Sequence, residues 1–387
     1  QRIERRLQLA LGQASIAGKG FAAEETGQAY ARARELCLEL GDVPELFPVL
    51  YGRSVFHFQR AELDDAHKVA QELLHRGKDH GDVSAQVTGY RMIGSALSQF
   101  GRFAESRDAF EMALALYDPV RDRRSAIVYA IDSRVMCLSW LSHLYFILGH
   151  PDQALARDSE VPALVRDLNY PATEAVALAW GCIFCQLLRD RHGAEQRAKA
   201  LMSLTAEQGF PLYRAAGTII RGWALADSGC LADGIKEMQQ GLTDYWATGA
   251  EMWSPYFLGL LADATGRSGD VTAGLGLVSD ALKRAERTGV RWIEAELHRI
   301  RGELMLAQDM RERREAETCL HEALRITRGQ GARLWELRAA TRLAHLWFEL
   351  GKREQARDLL APVHNWFTEG LDTPDLRDSR ALLLSLN

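Results

Sequence analysis

The chain contains no run approaching about eighteen uninterrupted apolar residues, so no segment reads as a membrane span. It also lacks a strong excess of either charge. A formal net charge of −5 over 387 residues gives no bulk attraction to nucleic acid or to an anionic membrane. Cysteine is sparse: the six, at 37, 137, 182, 185, 230 and 319, sit mostly within helix-periodic apolar stretches. They form no disulfide framework, and a reducing cytoplasm is the expected setting. Low-complexity tracts, Gly/Ser linkers and strand-like alternation are absent, which favours one continuous helical architecture over several domains. The opening QRIERRLQLA has neither Met nor a signal-peptide core and reads as a cut within a longer protein.

Catalytic signatures are missing too. Gly18-Lys19-Gly20 and Gly351-Lys352 lack the context of a phosphate-binding loop. Cys182-x-x-Cys185 has no second ligand pair and reads as two buried small side chains, so no metal and no cofactor is expected. His143, His298 and His345 have no nucleophile motif beside them, and Glu294 and Glu296 face different sides of a helix. The basic runs RDRR (121–124) and MRERRE (310–315) read as solvated turns. The expectation is a non-catalytic chain.

What is present is a repeat. Residues 144–155 read LYFILGHPDQAL and residues 346–357 read LWFELGKREQAR. Gly209, Gly249 and Gly289 are forty apart, as are Gly41 and Gly81, and Gly331 follows Gly289 after forty-two. Gly229 and Gly269 fall about midway, and Gly101, Gly149 and Gly351 share their context. Each follows one apolar-periodic run and precedes another, the place for a helix-ending residue of positive φ. The unit is helix A, Gly turn, helix B, Gly turn. A small residue recurs seven before the A–B turn: Gly94, Gly222, Ala262 and Ala344. Tyr90, Phe110, Ala113, Pro119, Ala154 and Ala356 complete the tetratricopeptide (TPR) pattern of small residue, aromatic, turn and small residue.

The expected fold is all-α: an α-solenoid of about eight or nine TPR-like helix pairs in a right-handed superhelix, one unit over 1–387. Repeats fall roughly at 1–41, 42–81, 82–120, 127–169, 170–209, 210–249, 250–289, 290–331 and 332–370. A-helices are expected at 43–60, 83–100, 128–148, 171–189, 212–228, 252–267, 291–308 and 334–350. The stretch 117–126 reads as a longer loop, and 374–386 as a capping helix. Tyr213, Trp253, Trp292 and Trp335 recur near the starts of successive A-helices, in a place that suits an inter-repeat core slot better than a ligand ladder.

The segment GAEMWSPYFLGLLADATGRSGDVTAGLGLVSDALKRAERTGVRWIEAELHRIRGELML (249–306) and the close from Gly329 resemble the C-terminal helical region of large bacterial regulators. In these, a class III adenylate/guanylate cyclase domain, or a DNA-binding domain, is joined to a signal-transducing ATPase and then to TPR repeats. The resemblance implies a fragment whose cyclase and ATPase motifs lie upstream. It also implies a regulatory role in signal transduction, with the superhelix receiving an inducer or partner.

Helix A faces the groove of a TPR superhelix. Counting from the turns places Arg91, Gln99, His143, Trp223, Asp227, Asp263, Arg299, Glu303 and His345 there, with Tyr256 as a wall. This set is the expected binding surface. The leading occupant is a protein or peptide segment, including the upstream ATPase of the same chain. The alternative is a small-molecule inducer held against Trp223 and Tyr256. Charge reversal at Arg299 or Asp263 is expected to weaken binding without loss of helix.

Overall fold

The computed structural model describes residues 1–41, 43–123, 129, 131–308 and 312–386. Among them are twenty helices and no strand: α1 (Arg2–Lys19), α2 (Glu24–Leu40), α3 (Val43–Gln59), α4 (Leu63–Asp79), α5 (Val83–Gln99), α6 (Phe103–Leu116), α7 (Pro119–Asp122), α8 (Ser133–Leu148), α9 (Pro151–Leu168), α10 (Pro171–Leu187), α11 (Arg191–Gln208), α12 (Pro211–Asp227), α13 (Leu231–Ala247), α14 (Ser254–Arg267), α15 (Val271–Thr288), α16 (Glu294–Gln308), α17 (Arg313–Gln330), α18 (Arg333–Glu349), α19 (Arg353–His364) and α20 (Pro374–Leu386). Apart from the single turn α7, each helix packs on the next, and the A-helices α3, α5, α8, α10, α12, α14, α16 and α18 also pack in sequence on one another. This is a TPR-like solenoid. The expected 117–126 loop contains the single turn α7; its residues 124–126, with Arg124 of the first basic run and Met310 and Arg311 of the second, lie outside the described residues.

The small-residue slot is explained by close approach. A Cβ on Gly94 would stand 2.9 Å from the Phe110 ring, and one on Gly222 would stand 2.7 Å from the Gly234 carbonyl oxygen. Turn glycines such as Gly229 and Gly269 have φ of 98° and 101°. Where the forty-residue register lacks glycine, Ala61 and Arg189 take positive φ at the same place. Aspartates at helix starts supply caps: Asp82 accepts from Ala85 N at 2.8 Å and Asp270 from Ala273 N at 3.0 Å. At the C-terminus, Leu376, Leu382 and Leu386 of α20 join Leu343, Leu346 and Leu360 in one apolar cluster, so α20 caps the last repeat.

The superhelix winds tightly enough that successive turns touch. The Gln59 carbonyl accepts from Glu251 N (2.8 Å) and Met252 N (3.2 Å). One repeat later the Gln99 carbonyl accepts from Arg291 N (2.7 Å) and Trp292 N (3.3 Å). Helix α8 contacts α18, and a Cβ on Gly149 would meet Trp366 and Arg333. The groove is therefore interrupted, and its inner face is divided into two chambers.

Candidate functional site

Both chambers are built by one helical register. Positions thirteen, ten, six and two before each A–B turn are three or four apart, so they share one face of helix A. In the C-terminal half this face carries Trp223 and Asp227 (α12), Tyr256, Asp263 and Arg267 (α14), Glu296, Arg299 and Glu303 (α16), and Arg338 and His345 (α18). These residues line an open chamber of about 950 Å³, closed at one end by Asp375 and Asp378 of α20. In the N-terminal half the same register carries Tyr51, Val55 and Gln59 (α3), Arg91 and Ser95 (α5), Met136 (α8) and Ala179 and Ile183 (α10). These line a closed chamber of about 70 Å³, roofed by Trp253 and Phe257 from the next superhelical turn.

The open chamber neutralises most of its own charge. Arg338 pairs with Asp375 at 2.8 Å and with Glu296 at 3.4 Å, donates to the Leu187 carbonyl at 2.6 Å, and stacks 4.9 Å from the Trp335 ring. Arg299 bridges Glu296 (3.0 Å) and Glu303 (2.7 Å). Its positive φ aims Arg189 at α20, where it pairs with Asp378 at 2.6 Å and Asp375 at 3.4 Å. Buried guanidinium–carboxylate networks of this kind hold geometry, and breaking one arm strands the other. The outer rim is more loosely tied. Arg267 reaches Asp263 at 3.5 Å and Asp227 at 3.6 Å, and Arg342 reaches Glu303 at 3.5 Å. Burial in the groove and the neighbouring Glu303 charge hold the Asp263 carboxyl above its ordinary range. Burial, with Arg342 adding, holds His345 below the usual histidine range.

The closed chamber is aromatic. Trp140 stacks on Phe110 at 5.6 Å and lies 4.1 Å from Trp180 and 6.0 Å from Trp253. Trp180 and Trp253 are 4.9 Å apart, and Trp253 continues to Trp292 at 5.4 Å. The recurrent tryptophans thus fill the groove between superhelical turns, in addition to packing consecutive repeats. Trp253, Trp292 and Trp335 are all buried, while Tyr213 is half-buried at the chamber wall.

Of the ten residues singled out from the sequence, Trp223, Asp227, Tyr256, Asp263, Arg299, Glu303 and His345 line the open chamber. The other three do not. Arg91 lines the closed chamber. Gln99 lies at the seam, its carbonyl consumed by the next superhelical turn. His143 is packed against Trp180 (5.1 Å) and Phe184 (5.5 Å), with Nδ1 at 2.7 Å from the Ser139 carbonyl; burial pushes its pKa down to about 4. Arg91 and Gln99 sit where a second turn covers the groove, and His143 is enclosed by the adjacent helix α10; helix-face counting alone reveals neither. Arg299 is also unsuited to charge reversal, because a carboxylate there would stand against Glu296 and Glu303. Reasoning from sequence missed Arg189, Arg267, Glu296, Arg338, Arg342, Asp375 and Asp378. Extending the register one turn toward the helix start finds Glu296 and Arg338; the cap residues carry no repeat signal. Cys182 and Cys185 are buried free thiols, the latter pushed up to about 11 by burial. Among the described residues no group of three or more His, Cys, Asp or Glu could hold a metal ion, and no helix is long and apolar enough to cross a membrane.

No family model matches the chain. It is 24% identical over 347 residues to an uncharacterised protein of Rhizobium meliloti (strain 1021), covering 89% of this chain and 33% of that protein. The chain thus spans about a third of the length of that curated relative. A Rap protein solved in complex with Competence and Sporulation Factor superposes with a TM-score of 0.54 at 10% identity, over 88% of this chain and 97% of that one. A signal transduction ATPase with a tetratricopeptide repeat sensor, from Pyrococcus horikoshii, gives a TM-score of 0.45 at 15% identity, over 94% of this chain and 55% of that one. The Rap likeness shows the shared TPR-like fold.

Proposed function

We propose that this chain is a non-catalytic regulatory module whose open chamber receives a short segment of a protein partner. The supporting observation is the chamber itself: about 950 Å³, walled by Trp223, Tyr256 and Phe348, and rimmed by long-range ion pairs that a partner's charges can exchange into. Asp227 and Asp263 offer a seat for a cation and Arg342 one for a carboxylate. The aromatic filling of the other half stops an extended peptide from running through the groove, so the occupant is compact or a chain end. A solved protein of the same fold is held with a factor. In a regulator of the resembled architecture the occupant would be a segment of the upstream ATPase, and its preference for one superhelix curvature would bias the output domain.

Native mass spectrometry on the natural full-length protein and on this region, each with D263N and R342A, tests the reading. The expected result is a polypeptide adduct on the isolated region that both variants lose, and a change of ATPase output in the full protein. A ligand of a few hundred daltons lost by the same variants would replace the protein partner with an inducer. Adducts unaffected by either variant would remove this chamber from consideration.

A further inference from the structure

The closed chamber contains a charge with no ion-pair partner among the described residues. Arg91 is 1% exposed, and its Nε and Nη2 have no hydrogen-bond partner. Among the described residues no carboxylate lies within 4.0 Å of it; its one close interaction is the Tyr51 ring, 5.2 Å below the guanidinium. The nearby acids are engaged elsewhere. Asp82 and Asp132 cap α5 and α8 through Ala85 N and Val135 N, Asp132 also accepts from Tyr117 OH at 2.8 Å, and Asp122 is held by Arg121 and Ser84. Two further side chains on the same lining carry polar groups without a partner: the Tyr51 hydroxyl and the Trp140 indole N–H. Gln59 Oε1 is an unpartnered carbonyl acceptor on that lining, and the Tyr51 oxygen can also accept.

Three donor-only atoms and one hydroxyl that can donate or accept stand against a single carbonyl acceptor, and with an uncompensated guanidinium among them they call for an anion. A buried charge with no counter-charge is strongly unfavourable, and guanidinium fits a planar carboxylate with two parallel hydrogen bonds. Around this polar spot the walls are Val55, Phe58, Met92, Trp180, Ile183, Trp253 and Phe257, which suit an apolar body. The chamber of about 70 Å³ has room for about five water-sized groups at 10–15 Å³ each. A neighbouring cavity of about 130 Å³, between α1 and α12, shares the walls Phe21, Ile131, Leu212 and Tyr213.

We propose that the closed chamber is a binding site for a small organic carboxylate with an apolar body, its carboxylate on Arg91, Tyr51 and Trp140. The site is separate from the open chamber and does not depend on a protein partner occupying it. Such a ligand would tie α3, α5 and α8 to the Trp253 segment of the next turn, and so link its presence to superhelix closure.

The test is titration of the protein with propionate and butyrate, and with propionamide and butyramide as uncharged counterparts, read by tryptophan fluorescence and by thermal melting. Trp140, Trp180 and Trp253 line the site, so occupancy quenches or shifts the emission. Expected are saturable binding and a raised melting temperature with at least one carboxylate, binding at least tenfold weaker for its amide, and loss of at least tenfold for R91M. Y51F should lose about threefold or more. Equal binding of acids and amides, no saturable response to either acid, or undiminished carboxylate binding by R91M would each overturn the proposal. The acid–amide comparison uses only the unmodified chain, so it decides even where R91M folds poorly.

Discussion

The two chambers are made by the same register of the same helix type, yet they hold charge in opposite ways. In the open chamber Arg338, Arg299 and Arg189 are each tied to two acids, and the network is complete without a visitor. In the closed chamber Arg91 is more deeply buried and, among the described residues, pairs with no acid. The difference teaches that burial and pairing are separate choices. A paired cluster in a wide space is preorganised scaffolding whose rim is free to exchange, whereas a single unpaired charge among aromatics marks a place completed from outside.

The comparison can be strained first through packing. Trp140→Ala removes a ring at the centre of the aromatic filling and should cost about 3–5 kcal/mol in urea unfolding. Phe348→Ala, at the half-buried wall of the open chamber, should cost only about 1 kcal/mol. Equal losses would mean that the groove is no better filled at one end than at the other.

Acid sharpens the contrast next. Burial lowers the His143 pKa to about 4. Its folded value lies below the unfolded one near 6.5, so the neutral ring's contribution is present above that value and is lost as pH falls toward 4. By pH 4 the loss should reach about 3 kcal/mol. His143→Asn should flatten the stability–pH curve between those limits, as read by denaturant midpoints. Asp263 moves the other way: its carboxyl is raised, so ionisation costs stability as pH rises past the ordinary aspartate value. Asp263→Asn should therefore gain a few tenths of a kcal/mol at pH 7, kept small by solvent screening of a side chain 35% exposed. That gain should vanish at pH 3, where the wild-type carboxyl is also neutral.

Much of the architecture was legible in the residues. The forty-residue spacing of Gly209, Gly249 and Gly289 and the small residues Gly94 and Gly222 point to helix pairs because each answers a local steric demand: a positive φ, or a helix crossing too close for a side chain. Local demands leave local marks. The groove face could be counted from the turns, which is why Asp263, Glu303 and His345 fall on one lining. The covering of that face could not. It depends on how small rotations per repeat add until Glu251 and Arg291 meet Gln59 and Gln99, 192 residues earlier in each case, and no residue marks that sum. Hence Gln99 is enclosed rather than displayed, and the tryptophans bridge turns as well as neighbouring repeats. Arg189 escaped for a different reason: the turn register predicts position 189, but a search for glycine passes over an arginine held at φ 60°.

The central claim is that one chamber satisfies its own charge and the other does not. Urea unfolding of R338M and R91M, side by side at pH 7 in a buffer free of organic acids, tests it most directly. Removing Arg338 leaves Glu296 and Asp375 short of a partner and should cost about 3 kcal/mol. Removing Arg91 relieves an unpaired buried charge and should raise stability by about 1 kcal/mol or more. Opposite signs support the account; a loss of similar size in both variants would contradict it, because Arg91 would then be as well satisfied by the protein as Arg338.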